Sequence, residues 1–220
     1  MSFDAALDCT ATSALMAAPA LRRPRDATLA RLERHERTSP QRTMLEEFVR
    51  SEFLAHFGAR VRHFMPELLT LRGKDGDVRA VVGCRAAAVE PLFLETYTRE
   101  PIEIALAARN GFFVPRERIV EIGSLACRNA AAAISIVRAL VPHLLGAGFT
   151  WVVFTGADTV MSVFHYLGLR PRALCSADPL LLGDARHEWG SYYAHHPYVM
   201  AGRIEDGAGA SAQRRMRQSR

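Results

Sequence analysis

The sequence has few cysteines and none of the residue spacings that metal-binding proteins use. Its 220 residues include four cysteines, and none of them stands in a CxxC pair: Cys9, Cys84, Cys127 and Cys175. There is no HExxH motif, and the adjacent His195 and His196 would point to opposite faces of a strand. Because neither a zinc site nor a disulfide framework is indicated, we predict reduced thiols, no metal site and no bound cofactor.

Long apolar runs are also missing. The longest one, residues 130–149, is interrupted by Arg138, Pro142 and His143, whereas a helix that spans a bilayer needs roughly 20 mostly apolar residues. The N-terminus lacks the basic start and the apolar run of a secretory signal peptide. We therefore predict a cytoplasmic protein without an integral membrane segment.

The net charge of +5 does not belong to the central part of the chain. Residues 45–205 contain 17 basic and 17 acidic side chains, so the excess positive charge lies in the two ends. A protein that binds nucleic acid generally presents a positive field over its folded body. We predict no nucleic-acid partner.

Composition and pattern divide the chain into three parts. Residues 1–40 show no sustained hydrophobic period and are predicted to be a mobile N-terminal segment. Residues 206–220 are predicted to be a disordered basic tail. The chain is 49% hydrophobic, which is enough for a buried core, and residues 41–205 are predicted to form one domain.

Helix and strand patterns alternate along this domain. Apolar residues at helical spacing predict a helix that opens at Ser39-Pro40 and ends at Gly58. Asn129 is the predicted cap of a long helix, a shorter helix follows at residues 159–167, and prolines leave residues 90–109 ambiguous. Strands are predicted over residues 64–71, 78–88, 116–127, 150–155 and 172–175, with a last strand before residue 205. This order is typical of a mixed α/β sheet with helices on its faces.

One stretch of the domain has the parts that thioester chemistry needs. A predicted strand, Ile119–Cys127, is followed by an alanine-rich helix and then by the apolar segment Phe149–Thr155. A lone acidic residue, Glu121, lies within the first strand. A strand can offer backbone amides to an acyl carbonyl, and a helix N-terminus can face phosphate groups. The stretch therefore indicates an acyltransferase.

Seven segments form a recognisable set: Pro91–Tyr97 (PLFLETY), Pro101–Glu103 (PIE), Arg118–Ala126 (RIVEIGSLA), Gly148–Thr155 (GFTWVVFT), Leu167–Pro171 (LGLRP), Ala177–Pro179 (ADP) and Trp189–Tyr193 (WGSYY). Together they resemble the thermostable hemolysin family, a GNAT-like group. A more distant resemblance is to acyl-homoserine-lactone synthases, whose corresponding strand carries Glu-x-x-Arg where this chain has Glu121 and Ser124. The resemblance implies a GNAT-like fold, which is a mixed, mainly antiparallel sheet with a splayed parallel strand pair and helices on both faces.

The resemblance also implies a donor site made of backbone groups and a helix N-terminus. Its predicted members are, for the thioester, Ile122, Gly123 and Leu125 and, for the phosphate groups, Arg128, Asn129 and Ala131. Ala131 stands where GNAT enzymes usually have glycine, and its Cβ would crowd a pyrophosphate. The expected donor is therefore the acyl-phosphopantetheine arm of an acyl carrier protein, with acyl-CoA as the alternative.

Two residues of the first strand are catalytic candidates. Glu121 is the candidate base for an attacking amine, and Ser124 is a weaker candidate. The alternatives are structural: Glu121 pairs with an arginine such as Arg118 or caps a neighbouring turn, and Ser124 forms only a local hydrogen bond.

Acidic and aromatic residues are predicted to form an acceptor or acyl pocket: Glu95, Glu103, Trp151, Phe154, Phe164, Trp189, Tyr192 and Tyr193. The carboxylates would attract a cationic amine, and the aromatic rings would line the pocket. The alternatives are a solvated helix face for the acids and a packed aromatic corner for Trp189–Tyr193. Phe164 stands where many GNAT enzymes have a tyrosine that protonates the leaving thiolate.

The predicted function is acyl transfer from a thioester to a small amine or amino acid, with an acyl carrier protein as partner. Two other functions stay open, namely a membrane-active hemolysin and a non-catalytic GNAT-like binding module. The replacement of the glycine and the tyrosine favours the binding module. A membrane-active hemolysin would need an exposed amphipathic segment, and the sequence shows no clear one.

Overall fold

The structure is a computed structural model that describes residues 31–207. Most of the predicted mobile segment, residues 1–40, lies outside the described residues, and so does nearly all of the predicted basic tail, residues 206–220. Cys9 is also outside this range, and the three described cysteines are free thiols.

Seven strands form one mixed sheet: β1 Glu33–His35, β2 Glu67–Arg72, β3 Val78–Ala86, β4 Ile119–Cys127, β5 Trp151–Gly156, β6 Arg172–Ser176 and β7 Tyr198–Arg203. Their order across the sheet is β1-β2-β3-β4-β5-β7-β6. Every pair of neighbouring strands is antiparallel except β4 and β5, which are parallel. The β4–β5 crossover contains a helix, as a parallel connection requires.

The helices cover both faces of the sheet: α1 Arg42–Phe57, α2 Glu95–Thr98, α3 Ile102–Asn110, α4 Ala130–Gly146 and α5 Asp158–Leu167. Helices α4 and α5 pack on one face, whereas α1, α2 and α3 pack on the other. Three 3₁₀ segments are also present among the described residues, Arg116–Arg118, Pro179–Trp189 and Tyr192–His195, and residues 204–207 are helical. The predicted arrangement, a mainly antiparallel sheet with one parallel pair and helices on both faces, is confirmed.

Strand β4 lies at the centre of the molecule and is buried on both sides. Ile119 packs in the core beneath α2 and α3, while the adjacent Val120 packs in the core beneath α4 and α5. Both side chains are fully inaccessible to solvent. Since consecutive residues of a strand point to opposite faces, the start of β4 contributes to the core on both sides of the sheet.

Local sequence explains where the helices begin and end. The side chain of Asn129 accepts a hydrogen bond from the Ala132 amide at 3.0 Å, so the predicted cap of α4 is present. Gly58 ends α1 in the left-handed region with φ of 64°. Pro142 lies within α4, where it removes one amide donor from the helix without ending it.

The structure adds elements that the sequence pattern did not indicate. Strand β1 lies inside residues 1–40 and pairs with β2, for example Glu33 with Thr70. Three residues are too few to show a hydrophobic period, so pairing with β2 defines this strand. The ambiguous residues 90–109 contain the short helices α2 and α3 on either side of Pro101.

None of the helices within residues 31–207 has the length and the apolar content that a membrane crossing requires. Over the same residues, no group of three or more His, Cys, Asp or Glu side chains is arranged to hold a metal ion.

Candidate active site

The parallel strands β4 and β5 separate part-way along their length. They are paired from Ile119 and Trp151 up to Ile122 and Phe154, and beyond this point β4 has no paired residue on β5. On its other side, β4 carries a bulge, because Gly123 pairs with Gly83 whereas Ala126 pairs with Val81. Ser124 lies in this bulge with φ of 50°, in the left-handed region. The bulge bends β4 where the strands part.

A cavity of about 340 Å³ occupies the opening between the two strands. It extends to both faces of the sheet. On one face its wall is largely polar and aromatic and includes Glu121, Arg85 and Tyr193. On the other face its wall is apolar and is formed by α4 and α5: Ala133, Ile136, Val137, Leu140, Val141, Val160, Val163 and Phe164. One continuous space therefore joins a charged compartment to an apolar one.

Glu121 is a buried acid with two backbone partners. Its side chain accepts hydrogen bonds from the amides of Phe93 at 2.9 Å and Leu94 at 3.0 Å, and the residue is 2% exposed. Burial raises the pKa of Glu121 to about 7, although these two amides and Arg85 favour the charged form. Glu121 caps the turn before α2, as one alternative proposed, and it also lines the cavity.

The arginine next to Glu121 is Arg85, with 3.8 Å between the Arg85 Nη1 and Glu121 Oε2 atoms. Arg118, which the sequence suggested as a partner, instead donates to the carbonyl oxygen of Gly148 at 2.8 Å. Glu121 therefore lies beside an arginine, as the alternative interpretation suggested, but this arginine is Arg85 and not Arg118.

Ile122, Gly123, Ser124 and Leu125 of β4 all line the cavity. Gly123 is covered by the side chain of Met65, whose terminal methyl group occupies the space that a Cβ would need. The residues of β4 that follow Ile122 have no paired residues on β5, and they line the cavity.

The beginning of α4 lies at the edge of the cavity. Asn129 lines it, whereas Arg128 and Ala131 do not. The Arg128 guanidinium lies over the Phe48 ring, 4.9 Å from its centroid, and pairs with Glu52 at 3.2 Å. Of the three residues predicted to bind the phosphate groups, Asn129 lines the cavity, whereas Arg128 and Ala131 are close to Asn129 in sequence and do not line the cavity.

Most of the predicted aromatic residues meet at the cavity. Trp189, Tyr192 and Tyr193 line it together with Phe57 of α1, and the ring centroids of Phe57 and Tyr192 are 5.3 Å apart. The Tyr192 hydroxyl donates to the carbonyl oxygen of Thr155 at 3.3 Å, on the part of β5 that has left β4. The cluster is both a packed corner and a wall of the cavity.

Tyr193 adds a second buried hydroxyl, which is hydrogen-bonded to the Tyr97 hydroxyl. Burial raises the pKa of Tyr193 to about 12, so this hydroxyl stays neutral at physiological pH. On the opposite face of the sheet, Phe154 and Phe164 stack with their ring centroids 4.8 Å apart and line the apolar part.

Three predicted pocket residues lie outside the cavity. Glu95 and Glu103 each accept a hydrogen bond from Arg116 at 2.6 Å, so these carboxylates hold the helix pair α2–α3 to the segment before β4. Trp151 is 8% exposed and packs in the core beneath α2 and α3. Glu95 and Glu103 instead border a second pocket together with Arg116, and the register of β5 turns Trp151 away from the cavity.

Sequence reasoning missed other residues at the cavity, chiefly Arg85, Tyr97, Met65 and Phe93. Arg85 had a recognisable sequence signal, because it is a charged residue within the apolar strand β3, just as Glu121 is within β4. Met65 and Phe93 lie in connections, where no periodic pattern assigns a direction to a side chain.

Comparison with known proteins identifies the family. The profile of the thermostable hemolysin family matches residues 35–208. The chain belongs to this family. No curated protein matches this thermostable hemolysin family member.

Solved structures share the fold of this thermostable hemolysin family member at low sequence identity. FeeM, an N-acyl amino acid synthase from uncultured soil microbes, has a TM-score of 0.56 at 11% identity, covering 84% of this chain and 96% of its own. The AHL synthase LasI has a TM-score of 0.53 at 12% identity, covering 80% of this chain and 91% of its own.

A third similar structure is BjaI, a CoA-dependent acyl-homoserine lactone synthase with bound SAM and isopentyl-CoA. It has a TM-score of 0.52 at 13% identity, covering 84% of this chain and 89% of its own. At these identities the likeness establishes the fold alone, and the predicted GNAT-like fold is confirmed.

Proposed function

We propose that this thermostable hemolysin family member is an N-acyltransferase that moves an acyl group from a thioester to a small amine or amino acid. The observation that carries the proposal is the cavity between β4 and β5, which has a buried acid at one end and an apolar chamber at the other. An acyl chain suits the apolar chamber, and a polar nucleophile suits the charged compartment.

The acyl carbonyl would lie beside the part of β4 that follows Ile122. Backbone amides that are not engaged by a neighbouring strand can donate to the oxyanion that forms when an amine attacks. The bulge at Ser124 directs this part of the backbone away from β5. The proposed thioester contacts are Ile122, Gly123 and Leu125.

Glu121 would act as the base. The neutral amine nitrogen attacks the acyl carbon, a C–N bond forms, the C–S bond breaks, and the sulfur leaves as a thiolate. The Glu121 carboxylate accepts the proton that the nitrogen loses, directly or through water, and passes it to the thiolate, which is released as the thiol. With its pKa raised to about 7 by burial, Glu121 is a stronger base than an ordinary carboxylate and is still largely ionised above neutral pH.

The donor would be an acyl carrier protein rather than CoA. The Asn129 cap occupies the Ala132 amide, so fewer donors remain for a pyrophosphate, and the Cβ of Ala131 would crowd it. The Thr155 hydroxyl oxygen lines the cavity region and has no hydrogen-bond partner among residues 31–207. A pantetheine amide could supply that partner.

Thiol release tests the proposal. Purified protein is incubated with acyl-CoA and acyl-carrier-protein donors of several chain lengths, together with a panel of amines and amino acids, and free thiol is measured. We expect release that depends on the acceptor and is faster with the carrier protein. Absence of release with every combination would favour a non-catalytic binding module.

The pH dependence tests the role of Glu121. Because a base must be ionised, kcat/KM is expected to fall about tenfold per pH unit below pH 7, and Glu121→Gln should lower it by about 10²–10⁴-fold. Glu117→Gln, an exposed carboxylate two residues before β4, is the matched control. Equal rates for wild type and Glu121→Gln would remove Glu121 from the mechanism.

A further inference from the structure

Arg85 shares the charged compartment of the cavity with Glu121. The two residues are partners across the antiparallel strands β3 and β4, and both line the cavity. Partners of this kind carry their side chains on the same face of a sheet. The Arg85 side chain is 17% exposed, so its positive charge is largely removed from solvent.

The Arg85 guanidinium makes only long contacts for a charge that is partly buried. Its nearest acceptors are the Pro91 carbonyl oxygen at 3.3 Å, Glu90 at 3.5 Å and Glu121 at 3.8 Å. Its Nε atom has no hydrogen-bond partner among the residues that the structure describes. Charged hydrogen bonds from nitrogen to a carboxylate are normally about 2.7–2.9 Å long.

Arg116, a second arginine of the same region, makes the short hydrogen bonds that Arg85 lacks. Arg116 donates to Glu95 and to Glu103 at 2.6 Å and to the Ala87 carbonyl oxygen at 2.7 Å. Arg116 does not line the cavity, whereas Arg85 does. Of the two arginines, the one with the longer contacts, Arg85, is therefore the one that lines the cavity between β4 and β5.

The acids around Arg85 also have other partners. Both oxygens of Glu121 accept backbone amides, from Phe93 and Leu94. Glu90 is also within 3.5 Å of Arg37. A planar guanidinium suits an incoming carboxylate, which can accept two parallel hydrogen bonds from it.

We propose that Arg85 binds the carboxylate of the acceptor, so that the acceptor is an amino acid and not a simple amine. The inference rests on the proposed acyltransferase function and narrows its acceptor class. An α-amino acid carries its amine and its carboxylate on one carbon, and one molecule can therefore reach Arg85 and Glu121 together. In the transfer step the neutral amine forms the C–N bond and gives its proton to Glu121, the C–S bond breaks, Glu121 passes the proton to the leaving thiolate, and the carboxylate stays on Arg85 unchanged.

Matched acceptor pairs test this assignment. Thiol release is measured with glycine, leucine and phenylalanine and with methylamine, 3-methylbutylamine and phenethylamine, which lack only the carboxylate. For the pair with the best side chain, we expect kcat/KM to be about 100-fold higher for the amino acid than for the amine. Equal use of the two, or preference for the amine, would overturn the proposal.

Variants locate the carboxylate site. Arg85→Gln should abolish most of this preference, and Arg85→Lys should retain part of it because the charge remains while the paired donors are lost. Arg79→Gln changes an arginine of the same strand that pairs with Asp75 at the hairpin turn, and it should keep the preference. A preference that survives in Arg85→Gln would contradict the assignment.

Direct binding separates this inference from the proposed function. Calorimetry without a donor measures the affinity of the same amino acids and amines for wild type, Arg85→Gln and Arg79→Gln. Amino-acid binding that is lost only in Arg85→Gln supports the carboxylate site even where no thiol is released. No amino-acid binding to wild type, or equal binding to Arg85→Gln, would overturn it whatever the turnover.

Discussion

Glu121 combines a structural contact with a position at the cavity. Its carboxylate accepts hydrogen bonds from the amides of Phe93 and Leu94, and the same buried group faces Arg85 on the neighbouring strand β3. Burial raises the pKa of Glu121 to about 7. The turn contact is observed, and the role of base is the one that we propose, so a change of Glu121 affects both the turn before α2 and the proposed chemistry.

Gly190 is the residue at which a side chain would be least tolerated. It has φ of 50°, and a Cβ would overlap the carbonyl oxygen of Phe57 at the end of α1. The Ser191 amide donates to the same oxygen at 2.8 Å. Gly190 therefore allows the aromatic segment Trp189–Tyr193 to approach the backbone of α1.

Gly190→Ala is expected to destabilise the protein more than Gly183→Ala. Gly183 has φ of 57° and nothing within 4 Å of the Cβ position. Both changes carry the backbone strain of about 1–3 kcal/mol, but only Gly190→Ala adds a clash with fixed backbone. Urea unfolding gives the two free energies, and the fluorescence of Trp189 reports on the cluster. Equal losses for the two variants would show that the contact with Phe57 does not constrain the segment.

At the scale of elements, the bulge in β4 decides where the two parallel strands part. A regular β4 would continue its register with β3 and keep its direction beside β5. The register instead shifts between the pairs Val81–Ala126 and Gly83–Gly123, with Ser124 in the left-handed region. The opening of the cavity is thus built into the strand that carries Glu121.

Substitutions of Ser124 test the bulge. Ser124→Val is expected to be about 1–2 kcal/mol less stable than Ser124→Gly, because an L-residue pays this cost in the left-handed region and glycine does not. Chemical denaturation of the two variants gives the difference. A difference near zero would indicate that the bulge rearranges to a regular strand.

At the scale of the molecule, the cavity connects the two faces of the sheet. The charged compartment lies beneath α1, α2 and the last two 3₁₀ segments, and the apolar compartment lies between α4 and α5. A substrate with a polar head and an apolar tail could therefore pass between β4 and β5 with each part in a matching environment.

Ala133→Leu is expected to shorten the acyl chains that the protein accepts. Ala133 lines the apolar compartment, and each methylene that the larger side chain excludes forfeits about 0.8 kcal/mol of burial. Thiol release is compared across donors from butanoyl to hexadecanoyl. Ala108→Leu, at an exposed alanine of α3 that does not line the cavity, is the control. An unchanged chain-length profile in Ala133→Leu would place the acyl chain elsewhere.

Predictions from the sequence were most accurate where the cause is local. The Asn129 cap, the stop at Gly58 and the strand around Glu121 follow from hydrogen bonding, glycine conformation and an apolar run within a few residues. Strand β1 was missed because three residues show no period, and pairing with β2 is what orders it.

Residues that are close in the chain were enough to predict the order of helices and strands, the acid within β4 and the family resemblance. Which charges meet depends on the folded arrangement. Arg85 faces Glu121, and Glu95 and Glu103 bind Arg116, because strand register and helix packing bring distant residues together. Those contacts, which no local pattern specifies, separate the charges that line the cavity from those that hold the fold.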